Sequence, residues 1–196
     1  MDTVINLVGA SGSGKTTICK ALEDLGVNIV KSYTTRKPRT HGEYGHEFVS
    51  GHWLDAGRRE PDMFVVSCGC GFDSGEIVEK SNMVSYLNAY GETYFSVFDQ
   101  YLGKGLTINT VDQSGAERAK LKLAGLANVI TIYLMVGRDE RIRRMMECRE
   151  QLDMSRRLQK DYTMFASSAC DYVVDGERSV EEIVDLILEI GEKCDV

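Results

Sequence analysis

One segment near the N-terminus limits the folds open to this chain more than any other feature. Residues 9–16 read Gly-Ala-Ser-Gly-Ser-Gly-Lys-Thr, which matches the G-x-x-x-x-G-K-[S/T] phosphate-loop pattern at every defined position. The apolar run Val4–Val8 precedes the loop and predicts a buried parallel strand, while helically spaced apolar residues follow it up to Gly26. A glycine-rich turn between a strand and a helix is the setting in which this pattern binds triphosphates.

The loop pattern predicts roles for its individual residues. Backbone N–H groups and the positive end of the helix dipole are expected to surround the phosphates of ATP. Lys15 is expected to bridge the β- and γ-phosphates, and the Thr16 hydroxyl to ligate Mg²⁺. The predicted ATP-binding residues are Gly9, Ala10, Ser11, Gly12, Ser13, Gly14, Lys15, Thr16 and Thr17. GTPases, ATPases and small-molecule kinases share this loop. The loop therefore does not reveal which molecule, if any, receives the phosphoryl group, and that has to be inferred from other segments of the chain.

Strands alternate with helices over most of the chain, which predicts βαβ units and a mostly parallel sheet. Further strands are expected at 27–30, 106–111, 129–135 and 172–174, and helices at 94–102, 114–123 and 139–165. Ser179 and Glu182 form a capping-box pattern that opens a last helix. The predicted fold class is α/β, a P-loop NTPase core with a central mostly parallel sheet flanked by helices.

We interpret residues 1–196 as a single domain with two additions to its core. Between residues 32 and 91, short apolar segments lie among Gly, Ser, Asp and Asn, which indicates a small β-rich insert. Residues 138–167 are rich in arginine and predict a helical lid. The core is then expected to comprise 1–31, 92–137 and 168–196.

The composition of the chain argues against nucleic acid and membrane as binding partners. A formal net charge of -7 argues against a large nucleic-acid interface, and no apolar run approaches the roughly 20 residues that span a bilayer. The chain is expected to be cytoplasmic, with its six cysteines as free thiols and with monomer and homodimer both open. Cys68-Gly69-Cys70 lacks a second pair at zinc-finger spacing, so we expect no zinc site there.

A second phosphate-binding pattern follows the second predicted strand. Residues 32–39 read Ser-Tyr-Thr-Thr-Arg-Lys-Pro-Arg, with two arginines three residues apart and a proline that stiffens the loop. Arginine forks suit bidentate contact with a phosphate monoester. A solvated basic turn is the alternative, but the position in a phosphate-loop protein favours an anion site.

These segments together resemble the guanylate kinase family. Residues 32–39 are similar to its S-x-T-T-R-x-P-R segment, and the order of the later similarities is also the same: Gly42-Glu43, Phe48-Val49-Ser50, Ala89-Tyr90-Gly91, Val111-Asp112-Gln113-Ser114-Gly115 and Asp171-Tyr172-Val173-Val174. The resemblance covers nearly the whole chain. It implies an ATP-dependent nucleoside monophosphate kinase with Mg²⁺, GMP or dGMP as acceptor, and a monophosphate site in residues 32–91.

The resemblance also implies roles for matching residues. Arg36, Arg39 and Tyr90 would bind the acceptor phosphate, and Ser32 would face the base. Asp112, at the end of a core strand, would hold Mg²⁺ or its waters.

Two departures from the family pattern affect the acceptor site. His46 stands where the family has a phosphate-binding tyrosine; it retains donor capacity and adds pH dependence, although a surface loop histidine is the alternative. Residues 58–81 do not align well, and the guanine-reading glutamate of the family falls among them. Glu79 is the first candidate for that role and Glu76 the second.

The lid region concentrates positive charge in an otherwise acidic chain. Seven arginines lie there: Arg138, Arg141, Arg143, Arg144, Arg149, Arg156 and Arg157. Fixed guanidinium groups stabilise the charge that develops during phosphoryl transfer, whereas an exposed helical face accounts for some of the seven. The resemblance implies Arg149 and Arg157 as catalytic residues beside Lys15 and Arg36, with Arg144 or Arg156 as possible substitutes.

Two alternatives to a GMP kinase stay open. A P-loop kinase for another acceptor, such as dTMP, another deoxynucleoside monophosphate or a non-nucleotide phosphate ester, is compatible with the poorly aligned segment 58–81. A non-catalytic, guanylate-kinase-like protein-binding module is the second. Such modules generally lack a working phosphate loop and lid, whereas Lys15, Thr16 and Asp112 are all present here.

Overall fold

The computed structural model describes residues 1–54, 62–69, 72–89, 91–147, 155, 158, 159, 161 and 169–193. These residues form two compact units. The first comprises Met1–Ile29 and Lys104–Val196, and the second comprises Val30–Gly103. Within the described ranges, no helix is long and apolar enough to cross a membrane.

The helices and strands follow in chain order. They are β1 (Thr3–Val8), α1 (Lys15–Asp24), β2 (Asn28–Val30), β3 (Ser32–Thr34), β4 (His46–Trp53), β5 (Met63–Gly69), β6 (Ile77–Glu79), β7 (Met83–Ala89), β8 (Glu92–Val97), β9 (Leu106–Thr110), α2 (Gln113–Lys122), β10 (Asn128–Met135), α3 (Arg138–Met146), β11 (Tyr172–Asp175) and α4 (Val180–Lys193). Short 3₁₀ turns follow β6 and β8.

The first unit contains a five-stranded sheet in the order β11-β10-β1-β9-β2. β1 pairs in parallel with both β9 and β10, and β10 pairs in parallel with β11. β1 is buried along its whole length, as expected for a central strand covered on both faces. Helix α2 packs on β1 and β10, and α1 packs on α4. The predicted α/β fold with a parallel sheet flanked by helices is confirmed.

Helix α4 illustrates how the sequence predicts the helices of the first unit. Ile183, Val184 and Ile187 are buried on one side of the helix, which is the face that their spacing predicts. At its start, the Ser179 hydroxyl accepts the Glu182 N–H and the Glu182 carboxylate accepts the Ser179 N–H. The predicted capping box is therefore present.

The second unit is built on a six-stranded sheet in the order β6-β5-β4-β3-β8-β7. β3 and β4 are parallel, whereas β3 with β8, β4 with β5, β5 with β6, and β7 with β8 are antiparallel. One face of this sheet carries an apolar cluster of buried residues: Val49, Phe64, Val66, Val78, Met83, Phe95 and Val97. The unit thus has a hydrophobic core of its own.

The prediction of a helix at residues 94–102 is wrong. Residues Glu92–Val97 form strand β8, and only a 3₁₀ turn, Phe98–Gln100, follows. Burial alternates from Glu92 to Phe95 with the period of a strand, and aromatic and β-branched residues favour that conformation. Because β8 pairs with β3 and β7, the second unit extends to Gly103, beyond the boundary at residue 91 expected from the sequence.

Candidate functional site

The glycine-rich loop connects β1 directly to α1 in the first unit. Gly12 and Gly14 have φ values of 80° and 96°, which lie in the left-handed region that other residues adopt only at a cost. The Ser13 N–H donates to the Ala10 carbonyl (3.1 Å), and Ser13 is buried. Gly14 occupies the N-cap position of α1, so the helix begins at Lys15.

The Lys15 side chain lies along this loop. Its Nζ donates to the Gly9 carbonyl, to the Ala10 carbonyl (3.2 Å) and to the Ser13 hydroxyl (3.3 Å). These three acceptors are neutral oxygens, and they hold the ammonium group at the loop. Phosphate oxygens bind a cation more strongly than neutral oxygens do, so a triphosphate can displace them.

Asp112 lies at the same end of the sheet as the loop. β1 and β9 are parallel, with Leu7 opposite Thr110, so the residues that follow these two strands emerge side by side. Asp112 is the N-cap of α2, and its Oδ1 accepts the Gly115 N–H at 2.8 Å. Thr16, in the first turn of α1, is exposed.

Helix α3 brings arginine side chains to the phosphate loop. Arg144 Nη1 lies 3.6 Å from the position that a Cβ on Gly14 would occupy. Its Nε donates to Glu140 (2.7 Å) and its Nη2 to the Gly176 carbonyl (3.1 Å). Arg149 and Arg157, the two lid arginines favoured from the sequence, lie outside the described residues, as does Arg156. Arg144 is thus a predicted substitute that the structure places beside the loop.

Ser32 and His46 lie together in the second unit. They are register partners on the parallel strands β3 and β4, and Ser32 Oγ is 2.9 Å from His46 Nδ1. The His46 ring is 5.8 Å from that of Tyr94 and 6.3 Å from that of Phe48. Because strand side chains alternate, these four residues share the sheet face opposite the apolar cluster.

Arg36 extends this polar group and is paired with Glu43. The guanidinium donates from Nη2 and Nη1 to the two oxygens of the Glu43 carboxylate, at 2.8 and 3.1 Å. Its Cζ lies 5.5 Å above the Phe48 ring. The Arg36 Nε is buried and has no hydrogen-bond partner among the described residues. Glu43 also accepts the backbone N–H of Arg39 (2.7 Å), so both arginines are tied to one carboxylate.

Two groups in this cluster have shifted pKa values. Burial alone would raise the pKa of Glu43, but hydrogen bonds from Arg36 and from the Arg39 N–H lower it to about 2. Burial lowers the pKa of His46 below 6.5, and the positive charge of Arg36 adds to this shift. At neutral pH the cluster therefore contains an ionised carboxylate, two guanidinium groups and a neutral imidazole.

Glu79 does not join this cluster. In β6 it is opposite Met63, whose carbonyl accepts the Leu54 N–H. Leu54 is eight residues beyond His46 along the chain of β4, so Glu79 lies up to about 26 Å further along the sheet at roughly 3.3 Å per residue. Its Oε2 accepts the Ser81 hydroxyl (3.0 Å).

Glu76, the second candidate, is also removed from Ser32 and His46. The Val66 N–H donates to the Glu76 carbonyl, and Val66 is opposite Gly51 in the middle of the sheet. The Glu76 carboxylate accepts the N–H of Asp73 at 3.0 Å. The predicted base-reading role of either glutamate therefore finds no support in the register of the sheet. Tyr90, another predicted acceptor residue, lies outside the described residues.

The sequence patterns assign no role to Asp161, Arg141 or Tyr94, and they include Glu43 only as part of a motif. The Arg141 guanidinium and the Asp161 carboxylate both contact Ser11 of the phosphate loop. Arg141 is one of seven arginines in residues 138–167 and Asp161 is one of six acidic residues there, with nothing in the pattern to single either out. Tyr94 is missed because the spacing of apolar residues in 94–102 predicts a helix. The strand that actually forms there places Tyr94 beside His46.

The first unit defines a class of fold, the α/β fold with a phosphate loop between its first strand and first helix. Among solved structures, the chain is similar to guanylate kinase from Anaplasma phagocytophilum, with 20% sequence identity and a TM-score of 0.50, covering 98% of this chain and 86% of that chain. It also matches the crystal structure of APE1195, with 14% identity and a TM-score of 0.49, covering 98% and 96% of the two chains. No family model and no curated protein matches the sequence. The first likeness shows a guanylate-kinase-like fold.

Proposed function

We propose that this protein is an ATP-dependent kinase that transfers the γ-phosphoryl group to a nucleoside monophosphate, with GMP or dGMP as the acceptor. One observation carries the acceptor half of the proposal. Arg36 presents a buried Nε–H without a partner among the described residues, while its two Nη atoms hold a carboxylate. A guanidinium with this mixture of filled and unfilled donors suits a phosphate monoester, which has more acceptor oxygens than a carboxylate.

The donor half rests on the phosphate loop. ATP is proposed to bind the loop N–H groups and the N-terminus of α1, with Lys15 exchanging loop carbonyls for β- and γ-phosphate oxygens. Thr16 and Asp112 are the oxygen donors that would hold Mg²⁺ or its waters, and hard oxygen ligands of this kind fit that ion. When bound, Mg²⁺ would neutralise part of the triphosphate charge.

On the acceptor side, the phosphate would replace the Glu43 carboxylate at Arg36. Arg39 would add a second guanidinium once Glu43 withdraws, because the same carboxylate lies 3.7 Å from Arg39 Nη1. His46, neutral at pH 7, would supply a ring nitrogen beside Ser32 without adding charge. Tyr90 stays a proposed phosphate contact on the basis of the family resemblance.

Catalysis would consist of positioning and charge neutralisation, and it requires no covalent intermediate. Arg144 is proposed to stabilise the transferring phosphoryl group, because its guanidinium lies beside Gly14 of the phosphate loop. Arg149 and Arg157 are proposed for the same task from the resemblance alone. Guanidinium groups there would act on charge that is greatest in the transition state.

A second acceptor is favoured by the position of the two glutamates. Glu79 and Glu76 lie along the sheet from Ser32, so the register of the strands does not support a guanine-reading role for either carboxylate. A kinase of the same mechanism for dTMP or another deoxynucleoside monophosphate accounts for this placement. The ATP site and the Arg36 cluster would be unchanged.

The test is an ADP-release assay with ATP and Mg²⁺ against GMP, dGMP, AMP, CMP, UMP and dTMP. Turnover selective for GMP or dGMP is the expected result. Selective turnover of another base would support the second candidate, with the same kinase mechanism. Absence of turnover on every monophosphate, at concentrations where ATP binds, would contradict both.

A further inference from the structure

Asp161 and Arg141 form a charged contact with Ser11 of the phosphate loop, and this contact has no role in the proposed reaction. Asp161 Oδ2 accepts the backbone N–H of Ser11 (2.9 Å), and its Oδ1 lies 3.3 Å from the Ser11 hydroxyl. Arg141 Nη1 donates to Asp161 Oδ2 (3.1 Å) and to the Ser11 carbonyl (3.3 Å). The peptide groups on both sides of Ser11 are thus bound, one by the acid and one by the base.

This contact is sheltered from solvent and built on a fixed support. The side chains of Arg141 and Asp161 are only 14% and 10% exposed, so their attraction is screened much less than that of a surface pair. The backbone of α3 abuts the loop, because a Cβ on Gly12 would lie 2.7 Å from the Arg141 carbonyl and 3.1 Å from Met145 Cγ. Arg141 is therefore held at the loop by its backbone as well as by its side chain.

The charges in this contact have opposite effects on a bound triphosphate. A carboxylate hydrogen-bonded to the phosphate loop repels phosphate oxygens, and this repulsion is strong where water is partly excluded. A guanidinium on the same carboxylate cancels most of that repulsion. Asp161 can therefore hold the Ser11 peptide in place without loss of triphosphate binding only while Arg141 neutralises it.

We propose that Asp161 and Arg141 are positioning residues for ATP binding: Asp161 fixes the Ser11 peptide of the phosphate loop, and Arg141 neutralises Asp161 so that the loop still accepts a triphosphate. The inference rests on the proposed function only in that ATP binds this loop. It assigns to Arg141 a purpose different from contact with the transferring phosphoryl group. It also predicts that the effect of substituting Arg141 on ATP binding depends on whether Asp161 still carries its negative charge.

The test measures the dissociation constant of a non-hydrolysable ATP analogue with Mg²⁺, by calorimetry and without any acceptor. Arg141→Met leaves an unneutralised carboxylate at the loop and is expected to raise that constant at least about tenfold. Asp161→Asn keeps an oxygen for the Ser11 N–H and is expected to change it less than about threefold. The double variant is expected to bind within about threefold of the wild type, because Asp161→Asn removes the negative charge that Arg141 otherwise neutralises.

Two further variants separate this role from general stability. Lys120→Met breaks an exposed ion pair with Asp171 in the same unit and is expected to leave analogue binding unchanged. Should Arg141→Met fail to fold, Arg141→Lys retains the positive charge and is expected to bind within about threefold of the wild type. A tenfold loss in folded Arg141→Lys would overturn the inference.

The inference is also overturned if folded Arg141→Met binds the analogue like the wild type, or if the double variant binds no better than Arg141→Met. A purely structural contact would lower the melting temperature of both single variants without this rescue of binding. If the wild type does not bind the analogue, this inference and the ATP site both fail. If it binds the analogue but phosphorylates no monophosphate, the acceptor proposal alone fails.

Discussion

At the scale of single residues, Glu43 organises the arginine loop of the second unit. Its carboxylate accepts two bonds from the Arg36 guanidinium and one from the Arg39 N–H. The side chains of Arg36 and Glu43 are 13% and 15% exposed, so the pair is far better shielded than a typical surface salt bridge. Glu43 thus keeps a sparsely solvated guanidinium in place.

The lowered pKa of Glu43 predicts how stability depends on pH. The folded pKa of about 2 lies below the ordinary value of 4.5, so this carboxylate stabilises the fold above pH 4.5, and that contribution disappears as pH falls toward 2. We expect Glu43→Gln to lower the free energy of unfolding at pH 7 by on the order of 2 kcal/mol. The variant should also lose less stability than the wild type between pH 4.5 and 2.

Urea unfolding across that pH range measures both quantities. The control is Glu181→Gln, which removes a carboxyl group at an exposed position of α4 and should retain the acid-induced loss of the wild type. Parallel curves for Glu43→Gln and the wild type would show that Glu43 does not contribute in this way.

Some of the residues proposed for the acceptor site lie together in the structure and others do not, for a physical reason. Ser32 and His46 come together because β3 pairs in parallel with β4, a strand that is near in sequence, and Arg36 lies two residues beyond the end of β3. The prediction for Glu79 depends on its distance along the chain from a family motif. Its position in the fold depends instead on the β4-β5-β6 register, which long-range pairing determines and no local pattern shows.

At the scale of elements, two constraints act on Gly12: the backbone conformation of the phosphate loop and the contact of that loop with α3. Its φ of 80° disfavours any side chain, and a Cβ would also collide with the Arg141 carbonyl at 2.7 Å. The motif itself demands glycine at residues 9 and 14, whereas residue 12 is one of its variable positions. Glycine at 12 is thus explained by its left-handed backbone together with the helix packed against the loop.

A matched pair of substitutions separates these two effects. Gly125 has a φ of 77°, and no atom of its surroundings lies within 4 Å of the position that a Cβ would occupy, so Gly125→Ala should cost only backbone strain, about 1–2 kcal/mol. Gly12→Ala should cost at least about 1 kcal/mol more, since the Arg141 carbonyl must move. Denaturant unfolding of both variants measures the difference, and equal losses would contradict the packing of α3 on the loop.

Helices and strands are predicted correctly where the apolar residues fit a single pattern of spacing. The prediction fails at residues 94–102, where they fit both a helical and a strand pattern. Helices α2 and α4 and strands β1 and β10 follow the patterns of their sequences. In residues 94–102, Phe95 and Phe98 fit a helical spacing, whereas the alternation around Phe95 fits a strand. Pairing with β3 and β7 decides in favour of the strand, because tertiary contacts override local propensity.

At the scale of the whole molecule, an acidic chain places positive charge at two loops, one in each unit. The formal net charge is -7, yet Lys15, Arg141 and Arg144 lie at the phosphate loop in the first unit, and Arg36 and Arg39 lie on one loop in the second. Each unit has its own sheet and buried residues. The described residues thus provide a candidate anion site in each unit, and a phosphotransferase with two phosphate-bearing substrates requires two such sites.

The most direct test of the account is transfer of the labelled γ-phosphoryl group of ATP, with Mg²⁺ and GMP or dGMP, followed by separation of the nucleotide products. The wild type is predicted to place the label in the nucleoside diphosphate. Lys15→Ala, with circular dichroism unchanged, is predicted to lose at least about a thousandfold in rate, because it removes the cation that the phosphate loop supplies to the transferring group. Label found only in inorganic phosphate, or substantial transfer by Lys15→Ala, would contradict the proposed reaction.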